Sequence, residues 1–418
     1  MKILVAQIGA RRHYAVPAAL ERAGLLEALV TDVCASDPWV RRLGSVIPSS
    51  VKSGKLRSLF DRQPIGVPDS KVHCLWPTTI RSQLARQLQG HSPPGQYARW
   101  VTQNEEFGRA VVKQGFGSAT AVYGFNAASV EIFEAARSRG LKCILDMTIA
   151  PLEVIERLLT EERQRFPHLE IGTSLPDSPE ALIARERREW ELADLILCGS
   201  EYVADTLAEV GVPASKCRVV RWGYSGPCVP TDRSQRSGPL RVLMAGTVEL
   251  RKGVPYALEA ARLLADARYH FRFVGPVRLN PRLLAEQFTN NIRGTTIEFA
   301  GPVPRSEMTH EYQQADVLLH PSLAEGSANV CYEALAHGLP VIATPNAGSA
   351  VSDGVDGFLI PIRDPEAIAR CLLSLTESNS RHPMGIAAAK TASHWTRDCY
   401  AEELGSVLQV LTSNNATA

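Results

Sequence analysis

The chain has 418 residues, enough for two domains that each bury a hydrophobic core. Its 45 Lys and Arg residues nearly balance its 44 Asp and Glu residues, and a net charge of +1 argues against a nucleic-acid partner. The nine cysteines show neither C-x-x-C pairs nor metal-ligand spacing, which indicates reduced thiols in a cytoplasmic protein rather than a disulfide framework.

The first predicted unit is a strand that leads into a helix, as at the start of a doubly wound parallel sheet. Lys2–Ile8 is a continuous apolar run, typical of a strand covered on both faces. Gly9 ends the run and lets the backbone approach a ligand, while Arg11 and Arg12 add positive charge beside it. We therefore include Gly9 among the candidate ligand-binding residues. The sequence shows no signal-peptide pattern and no apolar stretch of transmembrane length.

Residues 37–60 form a basic, partly amphipathic segment in which lysines and arginines interleave with apolar residues, and no acid follows Asp37. Such a patch suits anionic lipid head groups or a phosphate-bearing acceptor. A surface excursion with solvated charges is the alternative, because Pro48 and Gly54 interrupt any long helix. The segment makes the cytoplasmic face of a membrane a candidate partner.

Further apolar runs predict a series of strands separated by helices, arranged as two α/β domains. The predicted strands are Ala119–Tyr123, Lys142–Asp146, Leu195–Cys198, Leu240–Ala245, Phe271–Gly275, Thr296–Ala300, Val317–His320, Val341–Ala343 and Phe358–Ile360. Residues 226–239 are rich in Gly, Pro and Ser and are predicted to be a linker. The fold class predicted is therefore α/β, with Rossmann-like domains over 1–225 and 240–395 that face a cleft, and a final segment over 396–418.

The stretch HPSLAEGSANVCYEALAHGLPVIATPNA, residues 320–347, places two glutamates around a predicted strand–loop–helix turn. Glu325 lies in the loop at the carboxyl end of the strand, and Glu333 falls in the second turn of the helix. Ser327 or Asn329 is predicted to cap that helix. Ligands bind at this edge of a parallel sheet, and ionised carboxylates accept strong hydrogen bonds from a ligand with many hydroxyls. The spacing alone favours a surface helix with two solvated glutamates, so the surrounding residues decide the interpretation.

A second candidate element, GTVELRKG at residues 246–253, follows a predicted strand and begins a helix. A cation at Lys252, near a helix start, is unfavourable unless an anion binds there, and a diphosphate is such an anion. Arg251 could share in neutralising it. No D-x-D sequence is present to hold a divalent metal against a diphosphate. We therefore expect no metal and no cofactor, and protein cations would stabilise the leaving group.

These two elements resemble the signature of family-four glycosyltransferases, which are retaining enzymes of the GT-B architecture. The matching residues are Gly246, Lys252, Gly253, Pro321, Ser322, Glu325, Gly326, Glu333, Ala334, Gly338, Pro340 and Val341. In that architecture the final helix, here roughly Arg397–Leu411, crosses back onto the first domain. The resemblance therefore implies a nucleotide-sugar site in the cleft between the two domains.

The sequence departs from the family pattern in two places. Thr247 stands where the family has an arginine, so either Arg251 supplies that charge or the affinity for diphosphate is reduced. In the first domain the sequence LDMTIAP lacks the histidine that the family often places in the cleft. It offers Asp146 and Thr148 instead. The other histidines considered for this role are His13 and His320.

The resemblance implies transfer of a hexose-type sugar from a UDP- or GDP-sugar to a hydroxyl of an acceptor glycan, lipid or small molecule, with retained anomeric configuration. It implies catalytic roles for Glu325 and Lys252. The donor-binding residues, with Gly9, would be Glu333, Thr247, Arg251, Gly326, Ser327, Ala328, Asn329 and Val303. Alternatives left open are a GT-B sugar-nucleotide epimerase or phosphorylase, and a non-catalytic sugar- or nucleotide-binding protein.

Overall fold

The structure is a computed structural model. It describes residues 1–37, 40, 42, 60, 62–75, 95–171, 178–226, 228–233, 236–264, 268–288, 292, 294–376 and 378–413. Most of the basic segment 37–60, and with it the predicted membrane-surface contact, lies outside these residues. Within the described ranges, no helix combines the length and the apolar character needed to cross a membrane.

The first domain is built on a seven-stranded parallel sheet in the spatial order β3-β2-β1-β4-β5-β6-β7. The strands are β1 (Ile3–Gln7), β2 (Leu26–Thr31), β3 (Val72–Cys74), β4 (Ala121–Phe125), β5 (Lys142–Met147), β6 (Leu195–Cys198) and β7 (Cys217–Val219). The described helices are α1 (Ala15–Arg22), α2 (Gln96–Gln114), α3 (Val130–Arg137), α4 (Leu152–Arg165), α5 (Glu180–Leu192) and α6 (Glu201–Glu209). Alternate residues of β1 enter hydrophobic clusters on opposite faces, which explains its unbroken apolar run.

The second domain repeats this plan with a six-stranded parallel sheet in the order β10-β9-β8-β11-β12-β13. The strands are β8 (Leu240–Ala245), β9 (Tyr269–Val274), β10 (Thr296–Gly301), β11 (Val317–His320), β12 (Val341–Ala343) and β13 (Gly357–Leu359). The described helices are α7 (Val254–Leu264), α8 (Pro281–Gln287), α9 (Met308–Gln314), α10 (Asn329–Ala336), α11 (Pro365–Ser374) and α12 (Ser378–His394). The prediction of two parallel α/β domains is confirmed.

The last helix, α13 (Arg397–Ser413), packs on the first domain. Its residues Tyr400, Leu404 and Leu408 are buried in one cluster with residues of β1 and α1. The two chain segments that pass between the domains are bonded to each other, because the Tyr224 amide donates to the Trp395 carbonyl at 2.7 Å. The start of α13 therefore lies beside the cleft between the two sheets.

Several predicted strands have the bounds that the structure gives, whereas others were shifted or missed. Leu195–Cys198, Leu240–Ala245, Val317–His320 and Val341–Ala343 agree in full, while the strand predicted over Ala119–Tyr123 runs from Ala121 to Phe125. Strands β2, β3 and β7 and helix α2 were not predicted. Of these three strands, β3 and β7 lie at the sheet edges, are three residues long and are not fully buried, so their apolar runs are weak.

Candidate functional site

Loops from the two sheets meet directly at the carboxyl ends of their strands. Ser200 Oγ, after β6, donates to the carbonyl of Gly326, in the loop after β11, at 2.6 Å. A Cβ added at Gly326 would overlap the carbonyl oxygen of Thr148, in the loop after β5. Only glycine therefore permits this close approach of the second domain to the first.

Glu325 lies next to this contact and is bound by two cations. Lys252 Nζ forms an ion pair with Glu325 Oε1, and Arg251 Nη1 donates to the same oxygen at 3.0 Å. Ser322 Oγ donates to it at 3.2 Å. Burial favours the neutral carboxyl, but the charges of Lys252 and Arg251 outweigh it and hold the pKa of Glu325 well below its usual value. The carboxylate is therefore ionised at neutral pH.

A tight turn places Lys252 against the Glu325 loop. Leu250–Lys252 forms a single 3-10 turn, and Gly253 follows it with a φ of 68°. A Cβ at Gly253 would overlap the carbonyl oxygen of Pro321, at the end of β11. The turn Arg251–Lys252–Gly253 therefore needs glycine at its last position, both for the left-handed backbone and for the close packing against Pro321.

Arg251 is committed to bonds within the protein. Its Nη2 donates to Glu249 Oε1 at 2.7 Å, and its Nη1 donates to the Ala324 carbonyl at 2.8 Å as well as to Glu325. In this arrangement Arg251 ties the turn before α7 to the loop after β11. Thr247 carries no charge. Arg251 is already paired, so it does not offer a free guanidinium in place of the arginine that the family pattern has at position 247.

Glu333 lies in α10 and faces a different part of the site from Glu325. Its Oε2 accepts a hydrogen bond of 2.7 Å from the hydroxyl of Tyr312. It lines a narrow cleft between the domains. The cleft is lined by His13, Trp222, Tyr224, Ser225, Arg305, Asn329, Tyr332, Glu333 and Arg397. Among the residues that the structure describes, no hydrogen bond joins Glu333 to Glu325 or Lys252.

Some of the backbone amides predicted to bind the donor are already bonded. The Ala328 amide donates to the Ala347 carbonyl at 3.0 Å, and the Gly9 amide donates to Asp32 Oδ1 at 2.8 Å. For the amides of Gly326 and Ser327, no acceptor is found among the described residues. These two N–H groups are the ones in the loop that a ligand could use without competing with the protein.

The predicted cap of α10 is wrong. The residue that precedes the helix is Ala328, no side chain accepts a hydrogen bond there, and Asn329 is the first helical residue. Ser327 Oγ instead donates to the hydroxyl of Tyr332 at 3.1 Å. The Ser327 hydroxyl therefore bonds to Tyr332, in the first turn of the helix, and does not cap the backbone amides as the local pattern predicts.

Val303 follows β10, is partly buried and packs against the hydrophobic cluster of the second domain. Two residues later, Arg305 reaches the cleft that Glu333 lines. The loop that contains Val303, one of the predicted donor-binding residues, therefore approaches the cleft through Arg305, a side chain that the sequence did not single out.

The replacements considered for the missing cleft histidine differ in their surroundings. Asp146 is buried, and its carboxylate accepts hydrogen bonds from Arg12 Nη2 at 2.9 Å and from the Tyr123 hydroxyl at 2.7 Å. Thr148 Oγ1 lies nearer the second domain and accepts a hydrogen bond of 3.1 Å from Arg11 Nη1. Asp146 therefore stabilises the first domain, and Thr148 with Arg11 is the polar pair beside the Gly326 loop.

His320 is a supporting residue of the Glu325 loop. It is buried at the end of β11, with Nε2 at 3.1 Å from Ser322 Oγ and 3.8 Å from Glu325 Oε1. Burial lowers the pKa of His320, so the imidazole is neutral at pH 7. It helps to hold the serine and the carboxylate that face Lys252.

We expect Asp146→Ala to lower the free energy of unfolding by about 3–5 kcal/mol, because it leaves the Arg12 guanidinium buried without a counter-charge. The Arg12 side chain is 11% exposed, so water cannot fully replace the lost carboxylate. Urea denaturation of the wild type and the variant measures the loss. The double variant Arg12→Met with Asp146→Leu should recover most of it, and an equal loss in the double variant would contradict this account.

Comparison with known proteins gives a consistent family assignment for the second domain. Residues 239–378 match the family described as glycosyl transferases group 1. The amylovoran biosynthesis glycosyltransferase AmsK of Erwinia amylovora is 27% identical over 231 residues, which cover 52% of this chain and 56% of AmsK. The chain thus spans about half the length of the curated relatives that it matches.

Solved structures match over the whole chain. Sucrose-phosphate synthase from Thermosynechococcus elongatus has a TM-score of 0.66 at 16% identity and covers 99% of this chain and 100% of its own. HepE of Anabaena, in complex with UDP-glucose, has a TM-score of 0.61 at 16% identity and covers 98% of this chain and 100% of its own. The chain therefore has the GT-B fold. Among the described residues, no cluster of His, Cys, Asp or Glu side chains could hold a metal ion.

Proposed function

We propose that this chain, whose residues 239–378 match the glycosyl transferases group 1 family, transfers a hexose-type sugar from a nucleoside diphosphate sugar to an acceptor hydroxyl with retention of anomeric configuration. The observation that carries this proposal is the ion-paired cluster of Glu325, Lys252 and Arg251 at the contact between the two domains. Its polar groups stand beside a cleft lined by a second carboxylate, Glu333.

Donor binding would rearrange this cluster. A diphosphate that approaches Lys252 competes with Glu325 for the ammonium group, and a released Glu325 can then accept hydrogen bonds from the sugar hydroxyls. The amides of Gly326 and Ser327, which have no acceptor among the described residues, lie in the same loop. Glu333 would accept hydrogen bonds from the ribose hydroxyls, as the Tyr312 hydroxyl occupies only one of its carboxylate oxygens. Protein cations would offset the charge that develops on the leaving diphosphate, without a metal.

The same geometry supports same-face attack assisted by the leaving phosphate over a covalent glycosyl-enzyme intermediate. A carboxylate nucleophile needs to approach the anomeric carbon, as one of the pair does in retaining glycoside hydrolases. Glu325 instead lies among two cations, a serine and a histidine, which suits a group that binds sugar hydroxyls better than a nucleophile. Thr148 and Arg11 would face the acceptor from the first domain.

The acceptor we propose is a growing polysaccharide or another glycoconjugate. AmsK carries the description of an amylovoran biosynthesis glycosyltransferase, and HepE was solved with UDP-glucose. Together they make a UDP-hexose the first donor to test. The surface that receives the acceptor would lie on the first domain, on the side where the loops after β1 and β5 face the Gly326 loop.

A thermal-shift panel of UDP, GDP, UDP-glucose, UDP-galactose and GDP-mannose tests donor binding, since a ligand of the native state raises the melting temperature. A donor that stabilises the chain is then assayed for release of nucleoside diphosphate with and without acceptor glycans. We expect one base to stabilise the chain and an acceptor to increase its release. Binding without turnover on any acceptor would favour the binding-protein alternative, and pyridoxal absorbance in the purified protein would favour a phosphorylase.

A further inference from the structure

The charged groups around Lys252 balance one another before any ligand binds. Glu249 and Glu325 carry negative charges, and Arg251 and Lys252 carry the positive charges that pair with them. The exposed Arg278 reaches only within 3.9 Å of Glu249. A diphosphate bound here therefore adds negative charge that the cluster itself does not neutralise.

Three basic side chains line the cleft that contains Glu333, and each comes from a different part of the fold. His13 lies in the loop after β1, Arg305 in the turn between β10 and α9, and Arg397 at the first position of α13. Within the described ranges, neither Arg305 nor Arg397 forms an ion pair with a carboxylate. The cleft thus holds an excess of positive charge next to one glutamate.

The guanidinium of Arg305 is hydrogen-bonded to an uncharged side chain of the other domain. Its Nη1 lies 2.7 Å from Nε2 of His13. Burial, together with the charges of Arg305 and Arg397, lowers the pKa of His13 to about 4, so the imidazole is neutral at pH 7 and can accept this hydrogen bond. Arg305 is therefore positioned across the cleft without a counter-charge from the part of the chain that the structure describes.

Arg397 is in a similarly unfavourable position. Its Nε is buried and has no hydrogen-bond partner among the described residues, and its guanidinium lies 5.6 Å from the ring centroid of Trp222. A cation at the first residue of a helix also opposes the helix dipole. An anion in the cleft would satisfy the free N–H group, balance both arginines and interact favourably with the helix N-terminus.

We propose that Arg305 and Arg397 bind the phosphate nearest the ribose of the donor nucleotide and so supply the positive charge missing at Thr247. This inference rests on the proposed function, in which Glu333 holds the ribose hydroxyls. The α-phosphate is attached to the 5′ carbon of that ribose, so a ribose held at Glu333 carries it into the part of the cleft that the two arginines line. The diphosphate would then be shared between Lys252 on one side and the two arginines on the other.

The test is calorimetric titration of UDP, UMP and uridine, with GDP, GMP and guanosine in parallel, into the wild type and the Arg305→Ala and Arg397→Gln variants. Each variant should weaken nucleoside diphosphate binding by about tenfold or more, because it removes a charge-assisted hydrogen bond to phosphate. Nucleoside binding should change less than about twofold. The matched control is Arg22→Ala, since exposed Arg22 pairs with Asp398, next to Arg397, and does not line the cleft.

The possible outcomes separate this inference from the proposed function. Wild type that binds UDP or GDP, with unchanged affinity in both arginine variants, overturns the phosphate assignment and leaves the proposed function standing. Equal losses for nucleoside and diphosphate overturn it as well, because the arginines would then act on the base or the ribose. Wild type that binds none of the six ligands overturns the proposed function and this inference together. Arg305 is exposed, so Arg305→Ala is expected to fold, and it tests the inference even if Arg397→Gln fails to fold.

Discussion

Lys252→Ala is expected to lower the rate of the proposed sugar transfer by about 10²–10³-fold in a chain that still folds. The lysine side chain is only 16% exposed and pairs with Glu325 at the contact between the domains. If its charge offsets the charge that develops on the leaving diphosphate, the loss acts on the transition state more than on the bound donor. The maximal rate kcat should therefore fall more than the affinity for nucleoside diphosphate. Steady-state kinetics with the donor identified by thermal shift measure both.

The isosteric variant Glu325→Gln separates the lysine from its partner. It removes the carboxylate charge that now neutralises Lys252 and Arg251, so nucleoside diphosphate should bind at least as tightly as in wild type. Transfer should still fall strongly, because an amide is a weaker acceptor for sugar hydroxyls than a carboxylate. Tight diphosphate binding with lost turnover would indicate that Glu325 orients the donor. If Glu325 is purely structural, diphosphate affinity and turnover would decline together.

Arg278→Ala is the matched control for Lys252→Ala. Arg278 belongs to the same charged neighbourhood but is 65% exposed, and its nearest carboxylate, on Glu249, is 3.9 Å away. An exposed pair of this kind contributes little, so turnover and melting temperature should stay close to wild type. Wild-type turnover in Lys252→Ala, or an equal loss in both variants, would contradict a specific role for the lysine.

The parts of the fold that the sequence predicted are those in which local pattern and tertiary environment agree. The strand β11 is buried on both faces, so its continuous apolar run has one interpretation. The glycines at 253 and 326 belong to the matched signature, and the structure adds that neighbouring backbone leaves no room for a side chain at either position. In these segments the sequence restricts the backbone directly.

The parts that could not be predicted depend on contacts between distant residues. Arg251 was expected to serve a ligand, yet two glutamates and a carbonyl in the folded chain occupy its guanidinium. Arg305 and Arg397 lie far apart in sequence, and nothing local indicates that both reach the Glu333 cleft. The sequence offers one signal, the aromatic residues Trp222 and Tyr224 just before the linker. Large aromatic side chains tend to be buried, so they indicate that the segment passing between the domains packs against the rest of the protein.

Gly326→Ala should reduce transfer by about 10²-fold through steric displacement alone. The backbone of Gly326 does not adopt a left-handed conformation, so alanine introduces no strain of that kind. Its methyl group would overlap the Thr148 carbonyl oxygen, and the Gly326 carbonyl would lose its position opposite Ser200 Oγ. Glu325 is the adjacent residue, so the displacement moves the carboxylate that faces Lys252. A shift of about 1 Å in such a group is enough for a loss of this size.

The same substitution should leave nucleoside diphosphate affinity nearly unchanged, since the methyl group acts on the contact between the domains and Lys252 stays on its own turn. Gly405→Ala provides the control, because Gly405 is partly buried in α13 but has no atom within 4 Å of an added Cβ. That variant should be as active as wild type and slightly more stable, as alanine favours a helix over glycine by about 1 kcal/mol. Wild-type turnover in Gly326→Ala would mean that catalysis does not require the approach of the loops after β5 and β11. In that case the cleft would work in a more open arrangement, and the acceptor would have to reach the donor without the Thr148 loop.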